Sequence, residues 1–258
     1  MARQIISFSG GLGSAVSALI AHRYGYDFEL VFADTTIEDP DLYRFLEDVG
    51  AAVGKKVIYL KDGRDPWQVF VDRRYIGNSR TAHCSGDLKT AQVAAWWRDN
   101  VGEDARLVLG MDAWEEDRVA RAAARWSPIA VGSLLIEWKV FHDSFKDWLH
   151  RARIRIPALY LEGFPHNNCG GFCVKAGLKQ FLTLLQRFPE RFAHHEERQQ
   201  WAMAQIGPTA RPFLRRTVKG QIEYLTLRDF RLLVEAGDIT IDPFDWADGC
   251  SCFVGGDT

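Results

Sequence analysis

The stretch IISFSGGLGS at positions 5–14 joins a short apolar run to a glycine-rich turn. The following residues place Val16, Leu19 and Ile20 at helical spacing. The order of strand, glycine turn and helix is typical of a phosphate cradle, because glycines let backbone N–H groups approach an anion and the helix N-terminus adds a positive dipole end. The alternative interpretation is a tight turn that binds nothing.

Two common phosphate-binding patterns fit this turn poorly. No lysine follows it, as the Walker pattern G-x-x-x-x-G-K-[ST] requires. In the dinucleotide pattern G-x-G-x-x-G, Gly11 and Gly13 fit, but Val16 takes the third glycine position and would crowd helix against strand. Asp34 lies near the position of a ribose-binding acid, so a dinucleotide oxidoreductase is disfavoured but stays open.

Beyond the turn, apolar runs alternate with helical patterns. Further strands are predicted by the apolar runs at 28–33, 57–60 and 106–109. Asp-Pro pairs at 39–40 and 65–66 predict helix starts. This alternation predicts an α/β fold with a doubly wound, mainly parallel sheet. The pattern then becomes mainly helical, apart from a short hairpin around 218–225, so we expect an α/β domain at 1–160 and a smaller helical lobe at 161–258 that carries a Cys cluster.

The composition excludes several classes of protein. The 258 residues include 32 Lys and Arg against 34 Asp and Glu, a net charge of −2, which excludes a uniformly basic nucleic-acid binder but leaves room for a local basic face. With 47% hydrophobic and 26% charged residues, the chain is not a disordered one. No apolar run reaches the ~18 residues of a membrane helix, and no leader pattern precedes the first strand. We therefore expect a cytoplasmic protein without a membrane partner.

Five segments, in order along the chain, carry a family resemblance. SGGLGS at 9–14 resembles the PP-loop of the ATP pyrophosphatase (adenine nucleotide alpha hydrolase-like) superfamily, and FADTT at 32–36 resembles the end of that family's second strand. HCSGDLK at 83–89 resembles a motif of the phosphoadenylyl-sulfate (PAPS) reductase branch, and LGMDAWEEDR at 109–118 resembles the segment after the fourth strand. GFP at 163–165, before a Cys pair, and the Cys-x-Cys-Phe tail resemble small bacterial and phage proteins of this branch.

The resemblance implies a nucleotide site in which the loop grips the pyrophosphate of ATP. The residues implied in nucleotide binding are Ser9, Gly10, Gly11, Gly13, Ser14, Asp34, Thr35, Lys89, Gly110, Glu116 and Arg118. The residues implied in catalysis are Cys84, Lys89 and Ser14. On a helix, Arg118, Arg121 and Arg125 share one face, which is either an anion contact or a solvated surface.

The five cysteines are an odd count, which favours metal or redox use over a closed disulfide framework. The candidate metal ligands are Cys169, Cys173, Cys250 and Cys252. Four thiolates in two pairs suit a [4Fe–4S] cluster or tetrahedral Zn²⁺, and unliganded thiols are the alternative. The resemblance favours the cluster. Cys84, beside His83, is a nucleophile, a sulfur carrier, a cluster ligand or a small buried thiol.

The tail departs from the pattern of true sulfonucleotide reductases, which carry a cysteine in an ECGLH setting, whereas this chain reads DGCSCF at 248–253. The resemblance therefore implies an enzyme that uses ATP and Mg²⁺ to adenylate an acceptor, for sulfur transfer to a nucleic acid or a small molecule. The alternatives are a sulfonucleotide reductase and a non-catalytic nucleotide-binding module stapled by a metal. The implied partners are ATP or an adenylyl nucleotide, the acceptor, a sulfur donor or thioredoxin-like protein, and a second copy in a homodimer.

Overall fold

The computed structural model describes residues 2–102 and 104–242, so Cys250 and Cys252 lie outside the described residues. The strands are β1 (Arg3–Ser7), β2 (Phe28–Asp34), β3 (Val57–Lys61), β4 (Ala105–Val108), β5 (Ala130–Gly132), β6 (Leu214–Val218) and β7 (Gln221–Leu225). The helices are α1 (Leu12–Arg23), α2 (Pro40–Val53), α3 (Pro66–Asp72), α4 (His83–Ser85), α5 (Ala91–Asn100), α6 (Glu116–Trp126), α7 (Leu134–Glu137), α8 (Phe145–Arg151), α9 (Ala158–Leu161), α10 (Leu178–Arg187), α11 (Pro189–Ile206) and α12 (Leu227–Ala236). A π-helical turn, Gly86–Thr90, links α4 to α5.

The main sheet has the strand order β3-β2-β1-β4-β5, and every pair in it is parallel. This arrangement confirms the predicted α/β fold, with the predicted strands displaced by at most two residues. β5 has three residues and pairs with β4 along Arg106–Val108. The sequence analysis missed it because so short a strand leaves no apolar run to detect.

Helices cover both faces of this sheet, as parallel sheets require. Ile6 packs into a core with α1 and α2, whereas its neighbour Ile5 packs into a second core with Trp97 of α5 and Ala122 of α6. The alternation of adjacent β1 side chains between two cores explains why Ile5 and Ile6 are both apolar.

The helix starts predicted from Asp-Pro pairs are confirmed. The Asp39 side chain accepts a hydrogen bond from the backbone of Asp41 at the start of α2. Asp65 forms a capping box with Gln68 at the start of α3. Both prolines occupy the first helical position, where no backbone donor is needed.

The C-terminal part is mainly helical and carries the antiparallel β6–β7 hairpin, which begins at Leu214, earlier than predicted. A third core joins Phe181, Phe192 and Phe230 of this part to Trp67 of α3. The helices after residue 160 therefore share buried surface with α3, and the domain boundary at 160 stays a prediction. Within the described residues, no helix has the length and apolar character needed to cross a bilayer.

Candidate nucleotide-binding site

A cavity of about 250 Å³ opens where β1 and β4 end. The chain adds β2 and β3 on one side of β1 and then adds β4 and β5 on its other side. The direction in which strands are added therefore reverses between β1 and β4. Ligands of open α/β sheets bind in the crevice at such a reversal, outside the carboxyl ends of the strands. The cavity wall includes Ser9, Gly11, Gly13, Ser14, Lys89, Gly110, Asp112, Glu115, Arg118, His142, Tyr160, His166 and Asn168.

The start of α1 presents unpaired donors to this cavity. The helix is preceded by Gly11, which offers no side-chain cap, and its first turn contains no acidic residue. Within the described residues, the backbone N–H groups of Gly13 and Ser14 have no hydrogen-bond acceptor. Unpaired N–H groups and the positive end of the helix dipole together favour an anion at this position.

Hydroxyl groups surround the same turn. The Oγ atoms of Ser9 and Ser14 lie 3.3 Å apart, and the Ser14 hydroxyl donates to the Gly11 carbonyl at 2.9 Å. The Tyr160 hydroxyl accepts a hydrogen bond from the backbone of Leu12 at 3.4 Å, and burial raises the pKa of Tyr160 to about 12. Tyr160 therefore stays neutral at pH 7 and adds no negative charge beside the glycine-rich turn at 9–14.

Two glycines bring the turn into direct backbone contact with the loop after β4. A Cβ atom on Gly13 would lie 2.4 Å from the carbonyl oxygen of Gly110, and a Cβ on Gly110 would lie 2.3 Å from the backbone nitrogen of Ser14. Gly10 does not line the cavity; it has a positive φ of 76° and packs tightly against Leu42. Gly13 and Gly110 are thus required for the close approach, and Gly10 for the turn.

Lys89 supplies a buried cation to the cavity. It lies in the π-helical turn and is 7% exposed. Burial disfavours its charge, but its interactions with Cys169 and Glu38 outweigh that penalty and raise the pKa of Lys89 above its ordinary value. A buried ammonium group beside unpaired N–H donors suits a polyanionic ligand.

The residues after β4 contribute both acidic and basic side chains to the cavity wall. Glu115 and Arg118 form an ion pair, and Glu115 also accepts from the backbone of Asp112 at 2.9 Å. Glu116, which the sequence analysis named as a nucleotide ligand, is exposed and does not line the cavity; the adjacent Glu115 does. Burial, followed by repulsion from Arg121, lowers the pKa of Arg118.

β2 ends at Asp34 and Thr35 follows it, and neither residue lines this cavity. The Asp34 carboxylate accepts hydrogen bonds from the backbone of Thr36 at 2.7 Å and from the hydroxyl of Tyr43 at 3.0 Å. Thr35 donates to Glu38 at 2.7 Å. The predicted contacts of Asp34 and Thr35 with nucleotide therefore stay predictions.

A second, smaller cavity of about 30 Å³ brings three thiols together. Cys84, Cys169 and Cys173 line it, and Lys89 borders both cavities. Burial raises the pKa of Cys169 and Cys173. Among residues 2–102 and 104–242, no group of three or more His, Cys, Asp and Glu has an arrangement that would hold a metal ion. The predicted partners Cys250 and Cys252 lie outside this part of the chain, so the four-cysteine site stays a prediction.

Several site residues come from a distant segment and were missed by sequence reasoning. Tyr160 and Asn168 line the cavity, and the Asn167 side chain donates to the Gly10 carbonyl at 3.0 Å. His166 also lines the cavity. Burial and the nearby Lys89 lower the pKa of His166 to about 4, so this cavity residue is neutral at pH 7. The GFP motif at 163–165 was the one signal for this segment.

A parallel α/β sheet with a glycine turn at its switch point is typical of nucleotide-binding folds. Residues 3–104 match the family model described as phosphoadenosine phosphosulfate reductase domain. This match confirms the predicted resemblance to the PAPS reductase branch over residues 3–104.

Two uncharacterized proteins of Methanocaldococcus jannaschii are similar to this chain. One is 24% identical over 190 residues, covering 72% of this chain and 39% of the relative. The other is 23% identical over 191 residues, covering 72% of this chain and 45% of the relative. The chain thus spans less than half the length of either relative. A crystal structure of phosphoadenylyl-sulfate (PAPS) reductase from Candida auris, in a phosphate complex, has 15% sequence identity and a TM-score of 0.43, covering 63% of this chain and 77% of that chain.

Proposed function

We propose that the protein is an enzyme that binds ATP and cleaves it between the α- and β-phosphates, transferring the adenylyl group to an acceptor in preparation for sulfur transfer. The observation that carries the proposal is the set of unpaired backbone N–H groups at Gly13 and Ser14, which face the same cavity as the buried cation of Lys89. The PAPS reductase-like domain supports a nucleotide with a phosphate chain as the ligand.

In the proposed reaction, an acceptor oxygen forms a bond to the α-phosphorus, and the bond from that phosphorus to the bridging oxygen breaks. Pyrophosphate leaves with the bonding electron pair, and the acceptor proton passes to water. The N–H groups of Gly13 and Ser14 stabilise the charge that develops on pyrophosphate, and Lys89 neutralises part of it. Hydrosulfide then forms a bond to the adenylated centre of the acceptor, and AMP leaves with the electron pair of the bond that breaks. If the sulfur instead arrives as a persulfide on Cys84, the candidate carrier, a second thiol must reduce the resulting disulfide to release the thiolated acceptor.

Mg²⁺ fits the acidic wall of the cavity. Among the described residues, Asp112 and Glu115 are the carboxylates that line it. They would hold the ion together with phosphate oxygens, and the ion would neutralise charge on the leaving group.

The tail sequence favours adenylation over sulfonucleotide reduction, because positions 248–253 read DGCSCF where true reductases carry the attacking cysteine in an ECGLH setting. Within the described residues, no cysteine lines the 250 Å³ cavity, and Cys84, Cys169 and Cys173 line the smaller one. The reductase alternative draws on the family match at residues 3–104. It predicts thioredoxin-dependent release of sulfite from PAPS or adenylyl sulfate.

Turnover of labelled ATP tests the proposal. The purified protein, with Mg²⁺ and cellular RNA, DNA or small-molecule extract as acceptor, is expected to release pyrophosphate from γ-labelled ATP and AMP or labelled acceptor from α-labelled ATP. Release of orthophosphate instead would show cleavage at the γ-phosphate and contradict the account. Sulfite release without ATP turnover would establish the reductase, and nucleotide binding without any turnover would favour the non-catalytic module.

We also propose that Cys169 and Cys173 hold an iron–sulfur cluster with Cys250 and Cys252. The two described thiols border one buried cavity, which agrees with a shared ligand, but they do not form a metal group by themselves. Anaerobically purified protein is expected to absorb broadly near ~400 nm, and Cys169→Ala to lose that absorbance. A colourless protein that contains stoichiometric zinc would contradict the cluster and support the Zn²⁺ alternative. A metal-free protein would contradict both.

A further inference from the structure

A pair of exposed aromatic residues lies at the rim of the nucleotide cavity. Trp114 is 80% exposed, and its near neighbours Asp112 and Glu115 both line the cavity. Its ring lies 4.9 Å from that of Phe141, which directly precedes another cavity residue, His142. Large apolar side chains exposed beside a binding site are typical of a surface that contacts a ligand.

A row of arginines continues from the same rim. Arg118 lines the cavity, and Arg121 and Arg125 follow it on α6 at i+3 and i+7. Both are exposed, and neither forms an ion pair or hydrogen bond with any of the described residues. The acidic residues of α6, Glu116 and Asp117, lie in its first turn, so Arg121 and Arg125 carry their positive charge on the later turns of the helix.

The length of this row indicates more than one phosphate. At 1.5 Å per residue, Arg118 and Arg125 are separated by about 10 Å along the helix axis. That distance exceeds the size of a single phosphate group. Arg118 lines the cavity and Arg125 does not, so a nucleotide held in the cavity meets the near end of the row, whereas a longer chain of phosphates would reach Arg125 as well.

We propose that the acceptor is a single-stranded nucleic acid that stacks a base on the Trp114–Phe141 pair and lays its phosphates along Arg121 and Arg125. An adjacent nucleotide then enters the cavity where the adenylyl group is transferred. Single strands suit this surface because their bases are free to stack on aromatic side chains, while duplex bases are already stacked. The inference rests on the proposed function, since it names the acceptor of that site.

Equilibrium binding tests this surface without requiring turnover. Fluorescein-labelled single-stranded RNA and DNA of mixed sequence, about 20 nucleotides long so that a typical site is covered, are titrated with the full chain and read by anisotropy. Trp114→Ala is expected to weaken binding roughly 5- to 150-fold, the loss typical of one stacking contact. The Arg121→Ala/Arg125→Ala variant is expected to lower the salt slope by about 1.4, or 0.7 per lost phosphate contact on a single strand.

Two exposed residues elsewhere serve as matched controls. Trp201, on α11, and Arg228, on α12, are exposed and contribute nothing to the cavity. Trp201→Ala and Arg228→Ala are expected to bind both oligonucleotides as the unchanged protein does. The RNA and DNA arms identify which nucleic acid is the acceptor, and duplex competitors are expected to compete poorly.

The failures of the two proposals are distinguishable. If the oligonucleotides bind through Trp114 and the arginines but ATP is never cleaved, the surface stands and the adenylation proposal falls. If ATP is cleaved with a small-molecule acceptor and no oligonucleotide binds, adenylation stands and the surface proposal is overturned. Equal binding by Trp114→Ala and Trp201→Ala overturns it as well, and so does a Trp114→Ala variant whose only change is loss of a dimer in gel filtration.

Discussion

Replacing Gly13 by alanine is expected to weaken ATP binding by at least about 100-fold, or about 2.7 kcal/mol. The new Cβ would lie 2.4 Å from the backbone oxygen of Gly110, so the first turn of α1 and the loop after β4 must separate. This movement displaces the unpaired N–H groups of Gly13 and Ser14, so that they no longer point together into the cavity. Overpacking of this kind also costs about 1–3 kcal/mol of stability. Titration calorimetry with ATP measures the first effect and chemical unfolding the second.

Gly102 provides the matched control for this substitution. A Cβ at Gly102 meets no atom within 4 Å, so Gly102→Ala is expected to leave both ATP affinity and unfolding unchanged. Ser14→Ala provides a milder probe of the same turn, because it removes the hydroxyl that donates to Gly11 and adds no atom. A Gly13→Ala variant that binds ATP as tightly as Gly102→Ala would show that the turn is structural.

Substituting Lys89 by methionine is expected to weaken ATP binding by about 2–5 kcal/mol, or roughly 30- to 5,000-fold. The side chain is buried, so the phosphates lose a cation that water cannot replace. Glu38, whose pKa burial already raises, loses the cation that opposes this shift and is expected to take up a proton. Its protonation limits the loss of folding stability, and the effect is therefore expected mainly in binding.

Lys56 is the control for the loss of positive charge. It is exposed and directly precedes β3, so it lies at the amino end of that strand, whereas the cavity lies at the carboxyl ends of β1 and β4. Lys56→Met is expected to bind ATP normally in the same titration, with melting temperatures measured for both variants. Normal affinity in a folded Lys89→Met protein would remove Lys89 from the phosphate site and leave it as a partner of Glu38 and the thiols.

The fold was predictable because its signals are local. The apolar runs, the glycine turn and the Asp-Pro pairs each act over fewer than ten residues, and together they define alternating strands and helices. The three residues of β5 and the full extent of the hairpin from Leu214 were not predictable from such patterns, since both depend on strand pairing.

The candidate site was predictable only where a motif coincides with the cavity wall. Ser9, Gly13 and Gly110 lie where their motifs indicated. Glu115 lines the cavity next to the predicted Glu116, and the contact of Glu116 with nucleotide stays a prediction. Tyr160 and His166 reach the cavity through the fold of a segment about 150 residues from the turn, and the GFP motif at 163–165 does not indicate which of its neighbours make that contact.

Direct binding of a non-cleavable nucleotide tests the central claim, that the turn at 9–14 holds the phosphates of ATP. Titration calorimetry with α,β-methylene-ATP is expected to give one site per chain for the unchanged protein and for Gly102→Ala. Gly13→Ala and Lys89→Met are expected to show strongly weakened binding in the same cell. No heat with the unchanged protein, or equal affinity in Gly13→Ala and Gly102→Ala, would contradict the assignment of this cavity to the nucleotide.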